Sequence, residues 1–183
     1  MDMSKAFPND ARPGAITEEI LKMYFQDIEA VCVNDDAVPW IPFDASDAVA
    51  FKYYKIDPIK GEVIVVARNR PDVILPEHTH TGQVIVYTIS GSWKYKEHSW
   101  IARRGSVVYE TAATRHTPVT LPDDGEVVAL NIVQGESEFF DANGKSIGIE
   151  TWRTHMDRYL KFCRENGIQP RDLTTFSRSA WLA

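Results

Sequence analysis

His78, Thr79 and His80 place two imidazoles one residue apart, and His116 follows in a block that begins at Gly105. In an extended strand alternate side chains share a face, so His78 and His80 point the same way, with ring nitrogens near enough to hold one metal ion. His116 supplies a third ligand. Three imidazoles with no carboxylate or thiolate suit iron, copper, nickel or zinc. If one side of the ion stays open, a bidentate organic ligand and dioxygen fit there together, which is dioxygenase geometry. The other histidines have plainer roles: His98 shares the parity of Lys94 and Lys96 and is expected to face solvent, while His155 borders a helical stripe.

The residues around the trio keep a recognisable frame. After His80 come Thr81-Gly82-Gln83, then Val84, then six residues to Gly91. The second block runs from Gly105 through five residues to Thr111-Ala112-Ala113, then two more to His116. These blocks resemble the two cupin motifs, with Val84 where the motif has glutamate and Thr120 where it has asparagine. A narrower likeness covers Ser90 to Trp100, the segment Arg115-His116-Thr117-Pro118-Val119, and Cys163 to Ile168. It resembles the 2,4'-dihydroxyacetophenone dioxygenase family. That resemblance implies a cupin barrel in which the matching histidines bind iron, with zinc as the other ion to consider. It also implies cleavage of a C–C bond of an aromatic hydroxyketone by O2, giving 4-hydroxybenzoate and formate. A related cupin domain occurs in zinc-binding anti-sigma factors, so a non-catalytic zinc- or ligand-sensing domain is the alternative.

Val84 at the glutamate position leaves three neutral ligands, so the charge of a divalent ion falls to whatever binds next. An anionic chelating substrate is then favoured in a low-dielectric pocket. Val84 and Val86 share the parity of His80 and are expected to line that pocket, with Trp93 as an aromatic wall. Arg115 and Glu110 flank His116. Arg115 is expected in the substrate pocket, and Glu110 and Tyr95 are the candidate catalytic groups. Gln83 reaches the metal only if Gly82 introduces a bulge.

Elements that position these residues are visible in the patterning. Thr17 can cap a helix with Ile20, Leu21, Tyr24, Phe25 and Ile28 on one stripe. Short strand-like runs follow from Val38: 50–56, 62–67, 73–80, 84–89, 92–96, 106–109 and 127–133. Asn143-Gly144 marks a hairpin turn. A last helix is expected after Thr151, with Trp152, Met156, Tyr159, Leu160 and Cys163 on one stripe and Asn166-Gly167 ending it. The expected fold class is all-β: a single cupin barrel over residues 38–150, an arm and helix over 1–37, and a helix and tail over 151–183.

With 183 residues, 44% of them hydrophobic, the chain is large enough for one core without disulfides. Cys32 and Cys163 are expected as reduced, partly buried thiols. The formal charge of −6 argues against nucleic acid. No apolar run approaches the ~20 residues of a membrane span, and the first residues lack a signal-peptide core, so the expected location is cytoplasmic. The aromatic load of Trp40, Phe43, Phe51, Tyr53 and Tyr54 suggests a homodimer with an apolar interface.

Overall fold

The computed structural model describes residues 31–71 and 73–175. The helix expected over 17–28 lies outside them. In chain order the strands are β1 (Ile41–Pro42), β2 (Val49–Asp57), β3 (Glu62–Asn69), β4 (Glu77–His80), β5 (Val84–Ser90), β6 (Ser92–Tyr95), β7 (Ala102–Arg103), β8 (Val107–Glu110), β9 (Arg115–His116), β10 (Pro118–Thr120), β11 (Val127–Gln134), β12 (Ser137–Phe140) and β13 (Ser146–Glu150), followed by helix α1 (Trp152–Asn166). They form a six-stranded sheet of order β1-β2-β3-β11-β5-β8, a four-stranded sheet β13-β12-β4-β9, and a three-stranded sheet β10-β6-β7. All the strand pairs are antiparallel. Long crossovers between sheets make the double-sheet jelly roll of a cupin.

Period-two burial explains how each strand faces its partner sheet. Along β5, Val84, Val86 and Thr88 are buried, whereas Tyr87 and Ile89 are exposed. The inward residues join Trp93, Tyr95, Ala102, Val127 and Ala129 in one apolar cluster. A second cluster lies on the β2–β3 half of the same inner face, where Tyr53, Ile56, Val63 and Val65 pack against Tyr159 and Cys163 of α1 and against Leu173. Removing a valine or leucine side chain of this kind from water contributes ~1.5–3 kcal/mol.

Two motif glycines are demanded by the backbone. Gly91 joins β5 to β6 at φ 73°, and a Cβ there would lie 2.5 Å from the Glu126 carbonyl oxygen. Gly105 turns the chain between β7 and β8 at φ 87°. Both conformations suit a residue with no Cβ.

Helix α1 begins and ends as its sequence directs. The Thr151 side chain accepts from the Arg153 and Thr154 amides, the Thr154 hydroxyl oxygen accepts in turn from the Thr151 amide, and Gly167 closes the helix in the left-handed conformation. Beneath it, Tyr53 Oη meets His155 Nδ1 at 3.0 Å and accepts from Arg158 Nη1 at 3.0 Å, while Arg158 Nη2 binds Glu150 at 2.7 Å. His155 is therefore a hydrogen-bonded boundary residue. Burial pushes its imidazole down to about 4, with the Glu150 charge opposing and Arg158 reinforcing that shift.

The aromatic residues that suggested an apolar dimer interface are largely used within the chain. Tyr53 is buried under α1, Phe51 is half-buried beside it, and Trp40 stacks against the cations of Lys52 and Arg68; only Phe43 of that group is classed as exposed. Both cysteines are free; Cys163 is buried, but Cys32 is exposed because it precedes the packed barrel.

Replacing Gly91 with Ala should cost about 2–3 kcal/mol in denaturant titrations, since the new Cβ meets backbone rather than a movable side chain. The His155 shift predicts a pH effect of definite sign. An unfolded chain takes up the proton near 6.5 and the folded one only near 4, so stability is complete above about 6.5 and is lost as pH falls toward 4. The contribution is on the order of 3 kcal/mol, and His155→Gln should remove that part of the acid slope in urea melts at graded pH.

Candidate metal centre

Strand β4 presents His78 and His80 on the inner face, and β9 brings His116 directly across from His78 in the ladder. The three are 7%, 7% and 3% exposed. Their ligand atoms all lie within 4.8 Å of one another. Each ring is held from behind: His78 Nδ1 is 3.1 Å from the Pro76 carbonyl, His80 Nδ1 is 2.9 Å from Ser137 Oγ, and Tyr95 stacks on His116 at 4.2 Å between ring centres. Contacts at Nδ1 of His78 and His80 leave Nε2 as the free donor of each, the usual way a supporting shell orients imidazole ligands. Burial, then the neighbouring His80, pushes the His78 imidazole down to about 4. It is thus neutral at physiological pH, the form that binds a metal.

The three histidines form the cluster expected from the sequence, and Glu110 adds a carboxylate beside it. Val84 does occupy the motif's glutamate position, but β5 pairs with β8 so that Val84 lies directly opposite Glu110. Residues opposed in an antiparallel ladder share a face. The carboxylate therefore enters the site from the neighbouring strand. Its Oε2 is 3.2 Å from His80 Nε2 and 3.2 Å from His116 Nε2, and the residue is 6% exposed. Its Oε1 accepts a hydrogen bond from the Tyr95 hydroxyl.

These atoms fit a divalent cation. Glu110 Oε2 and His116 Nε2 are buried without a hydrogen-bond partner among the described residues. Two donors in adjacent positions around an ion at ~2.1 Å are separated by roughly 3.0–3.4 Å, which brackets the observed 3.2 Å. Burial by itself raises the Glu110 carboxyl, but the facing His116 and His80 side chains and the Tyr95 hydroxyl hold it well below the usual carboxylate range. Burial and the Glu110 charge push the Tyr95 hydroxyl upward, so it stays protonated and donates.

A cavity of about 520 Å³ opens beside this cluster, walled by Tyr95, His98, Trp100, Val108 and Arg115, with Glu110 and His116 at its inner end. That volume suits a small organic molecule. Tyr95 and Arg115, both singled out in the sequence, line this cavity. Val84, Val86 and Trp93 are instead in the packed interior, where the Trp93 indole donates to Thr88. Gln83 accepts from Tyr109 and does not reach the histidines. Arg115 lies 3.8 Å over the Phe140 ring and 3.5 Å from Glu77. His98 is exposed, as expected, yet it stacks on Trp100 at the cavity mouth. Strand parity misses both residues because β6 ends at Tyr95 and a turn follows.

A family model described as the ChrR Cupin-like domain matches residues 29–135. The chain belongs to this cupin family. An RmlC-like cupin from Ralstonia eutropha JMP134 is 47% identical, with a TM-score of 0.78 over 82% of this chain and 97% of its own. A cupin-like protein of unknown function from the same organism is 24% identical, with a TM-score of 0.72 over 79% and 91% of the two chains. An acetylacetone dioxygenase from Acinetobacter johnsonii shares the fold at 17% identity and a TM-score of 0.63, over 75% of this chain and 95% of its own. No curated protein is significantly similar in sequence. No helix among the described residues of this cupin is long and apolar enough to cross a membrane.

The cupin should take up one divalent ion per chain. Replacing His78, His80 or His116 with Ala should abolish stoichiometric metal in elemental analysis while the far-ultraviolet dichroism stays that of a β-protein, because two apolar clusters hold the sheets. Glu110→Gln should weaken metal binding by roughly 10–100-fold in chelator competition.

Proposed function

We propose that this cupin is a non-haem iron dioxygenase that cleaves the C–C bond between the carbonyl and hydroxymethyl carbons of an aryl hydroxyketone. A suitable substrate is 2,4'-dihydroxyacetophenone, with 4-hydroxybenzoate and formate as products. The observation that carries this reading is a buried trio of histidines, of which His116 lines an aromatic-walled cavity together with the neighbouring Glu110 carboxylate and Tyr95 phenol. The fold shared with the acetylacetone dioxygenase supports it. So does the likeness of the Ser90–Trp100 and Arg115–Val119 segments to the dihydroxyacetophenone enzymes.

His78, His80 and His116 would hold the metal. Bound there, iron(II) supplies a Lewis acid for the substrate's oxygens and the redox chemistry that makes dioxygen reactive. The protein's own residues do the rest. Glu110, ionised and aimed at the histidine cluster, accepts the proton that the chelating hydroxyketone releases. Tyr95 remains protonated and donates to that carboxylate, keeping it in place while the charge on the substrate changes. Trp100 and the face of Tyr95 flank the aryl ring, and Arg115 lies at the cavity wall, where it can meet a ring hydroxyl. Because Glu110 is an anion, three histidines, one carboxylate and a divalent ion would carry one net positive charge, and moving the substrate's proton to Glu110 leaves that total unchanged while placing the anion on the chelating oxygen.

The iron(II)-loaded protein should consume one O2 per molecule of 2,4'-dihydroxyacetophenone cleaved. Labelled oxygen should enter both products, one atom in the aromatic acid and one in formate. 4'-Hydroxyacetophenone, which lacks the second chelating oxygen, should react at least about tenfold more slowly, since one-point attachment loses orientation. Tyr95→Phe and Glu110→Gln should lower kcat by about 10²–10³ if they handle the proton. Absence of oxygen uptake and of any substrate-dependent spectral change across hydroxyketones and diketones would instead favour a metal- or ligand-holding cupin without redox chemistry.

A further inference from the structure

His116 is carried by the shortest strand of the metal centre. Strand β9 is two residues long and is held to β4 by the pairs His78 with His116 and Thr79 with Arg115. After Thr117 the chain enters β10 and pairs with β6 instead, so it crosses from the four-stranded sheet to the three-stranded one at that single residue. Two ladder pairs fix a strand only loosely, and the place of His116 therefore depends on what holds the crossing.

Both backbone groups of Thr117 are held by the turn that follows β6. Its carbonyl accepts from the Lys96 amide at 3.0 Å, one step beyond the last ladder pair of β6 and β10. In a continuing antiparallel ladder the Thr117 amide would return to the Lys96 carbonyl. It donates instead to Glu97 Oε2 at 2.9 Å. Thr117 is buried, and a buried N–H needs such a partner.

The same turn reaches the cavity. The His98 amide donates to the Tyr95 carbonyl at 3.1 Å, and the His98 ring stacks on Trp100. His98 and Trp100 both line the cavity. Tyr95, immediately before the turn, stacks on His116 itself. One carboxylate thus joins the turn that walls the cavity to the strand crossing that carries the third histidine.

We propose that Glu97 is a positioning residue for the metal centre: by holding the Thr117 amide it sets the place of His116 and ties the His98–Trp100 wall to it. The proposal rests on the reading of the three histidines as metal ligands. Because Glu97 acts through the backbone of Thr117, an uncharged acceptor of the same shape should serve nearly as well.

Zinc affinity by chelator competition, joined to amide exchange read by NMR, tests this on Glu97→Ala and Glu97→Gln. Glu97→Ala should bind zinc at least about tenfold more weakly than the unaltered protein, as when other supporting partners of ligands are removed. Its Thr117 amide should exchange at least about tenfold faster, while amides of β2 and β3 keep their protection. Glu97→Gln, whose side-chain carbonyl still accepts, should stay within about threefold in both measurements. Unchanged zinc affinity in Glu97→Ala would overturn the proposal. So would a Gln variant as impaired as the Ala one, because charge rather than position would then matter, or loss of protection throughout the barrel, which would make Glu97 a general stability residue. Failure of the unaltered protein to bind zinc would sink the metal-centre reading instead. The metal-free protein then decides the role of Glu97, and a Thr117 amide that exchanges equally with and without the Glu97 carboxylate would overturn it.

Discussion

A carboxylate buried between two imidazoles is the constraint on which the site depends. An ionised Glu110 cannot lie in an apolar interior unless charges or donors compensate it. The protein supplies the Tyr95 hydroxyl on one oxygen, while the other faces the His80 and His116 nitrogens at 3.2 Å without a hydrogen-bond partner among the described residues. Each of those groups is in turn fixed from behind, His80 by Ser137 and His116 by the stacked Tyr95 ring. The last requirement, a positive charge beside Oε2, is what a divalent ion provides.

Two ladder contacts turn this requirement into geometry. The pairing of His78 with His116 joins β4 to β9, and that of Val84 with Glu110 joins β5 to β8. They belong to different sheets, so the four-stranded and six-stranded layers must face each other in one relative position for the carboxylate to meet the imidazoles. Val84 and Val86 of the large sheet pack with Trp93 and Tyr95 of β6, and the Tyr95 ring in turn stacks on His116 of β9. The other half of the large sheet is closed by α1, whose Tyr159 and Cys163 pack on Tyr53, Val63 and Val65. One continuous sheet thus serves the cavity beside the histidines at one end and a helix-covered core at the other.

Much of this was legible along the chain because it depends on neighbours. Period two placed His78 and His80 on one face, and the hydroxyl of Thr151 and the glycine at 167 bounded α1 correctly. The Asn143-Gly144 turn does join β12 to β13, with Asp141 Oδ1 accepting from the Asn143 and Lys145 amides. Strand positions agreed to within a few residues, the main difference being that the run expected over 73–80 forms regular strand only over Glu77–His80.

Glu110, His98 and Trp100 were harder for a common physical reason. Nothing local shows that Glu110 comes to lie beside the histidines, since its place opposite Val84 depends on a strand pair 26 positions apart in the chain. His98 and Trp100 follow a turn that ends strand parity, and their place at the cavity mouth depends on stacking with each other and with Tyr95. The surroundings of the aromatics before the barrel likewise depend on distant elements, since Tyr53 packs under α1 while Trp40 meets the cations of Lys52 and Arg68. Sequence by itself determined the cupin class, the three histidines and the ends of the last helix, all fixed by spacing, turn chemistry or capping within a few residues. Tertiary structure alone decided the charge of the metal centre and the walls of its cavity, because both arise where strands distant in sequence bring their inward faces together.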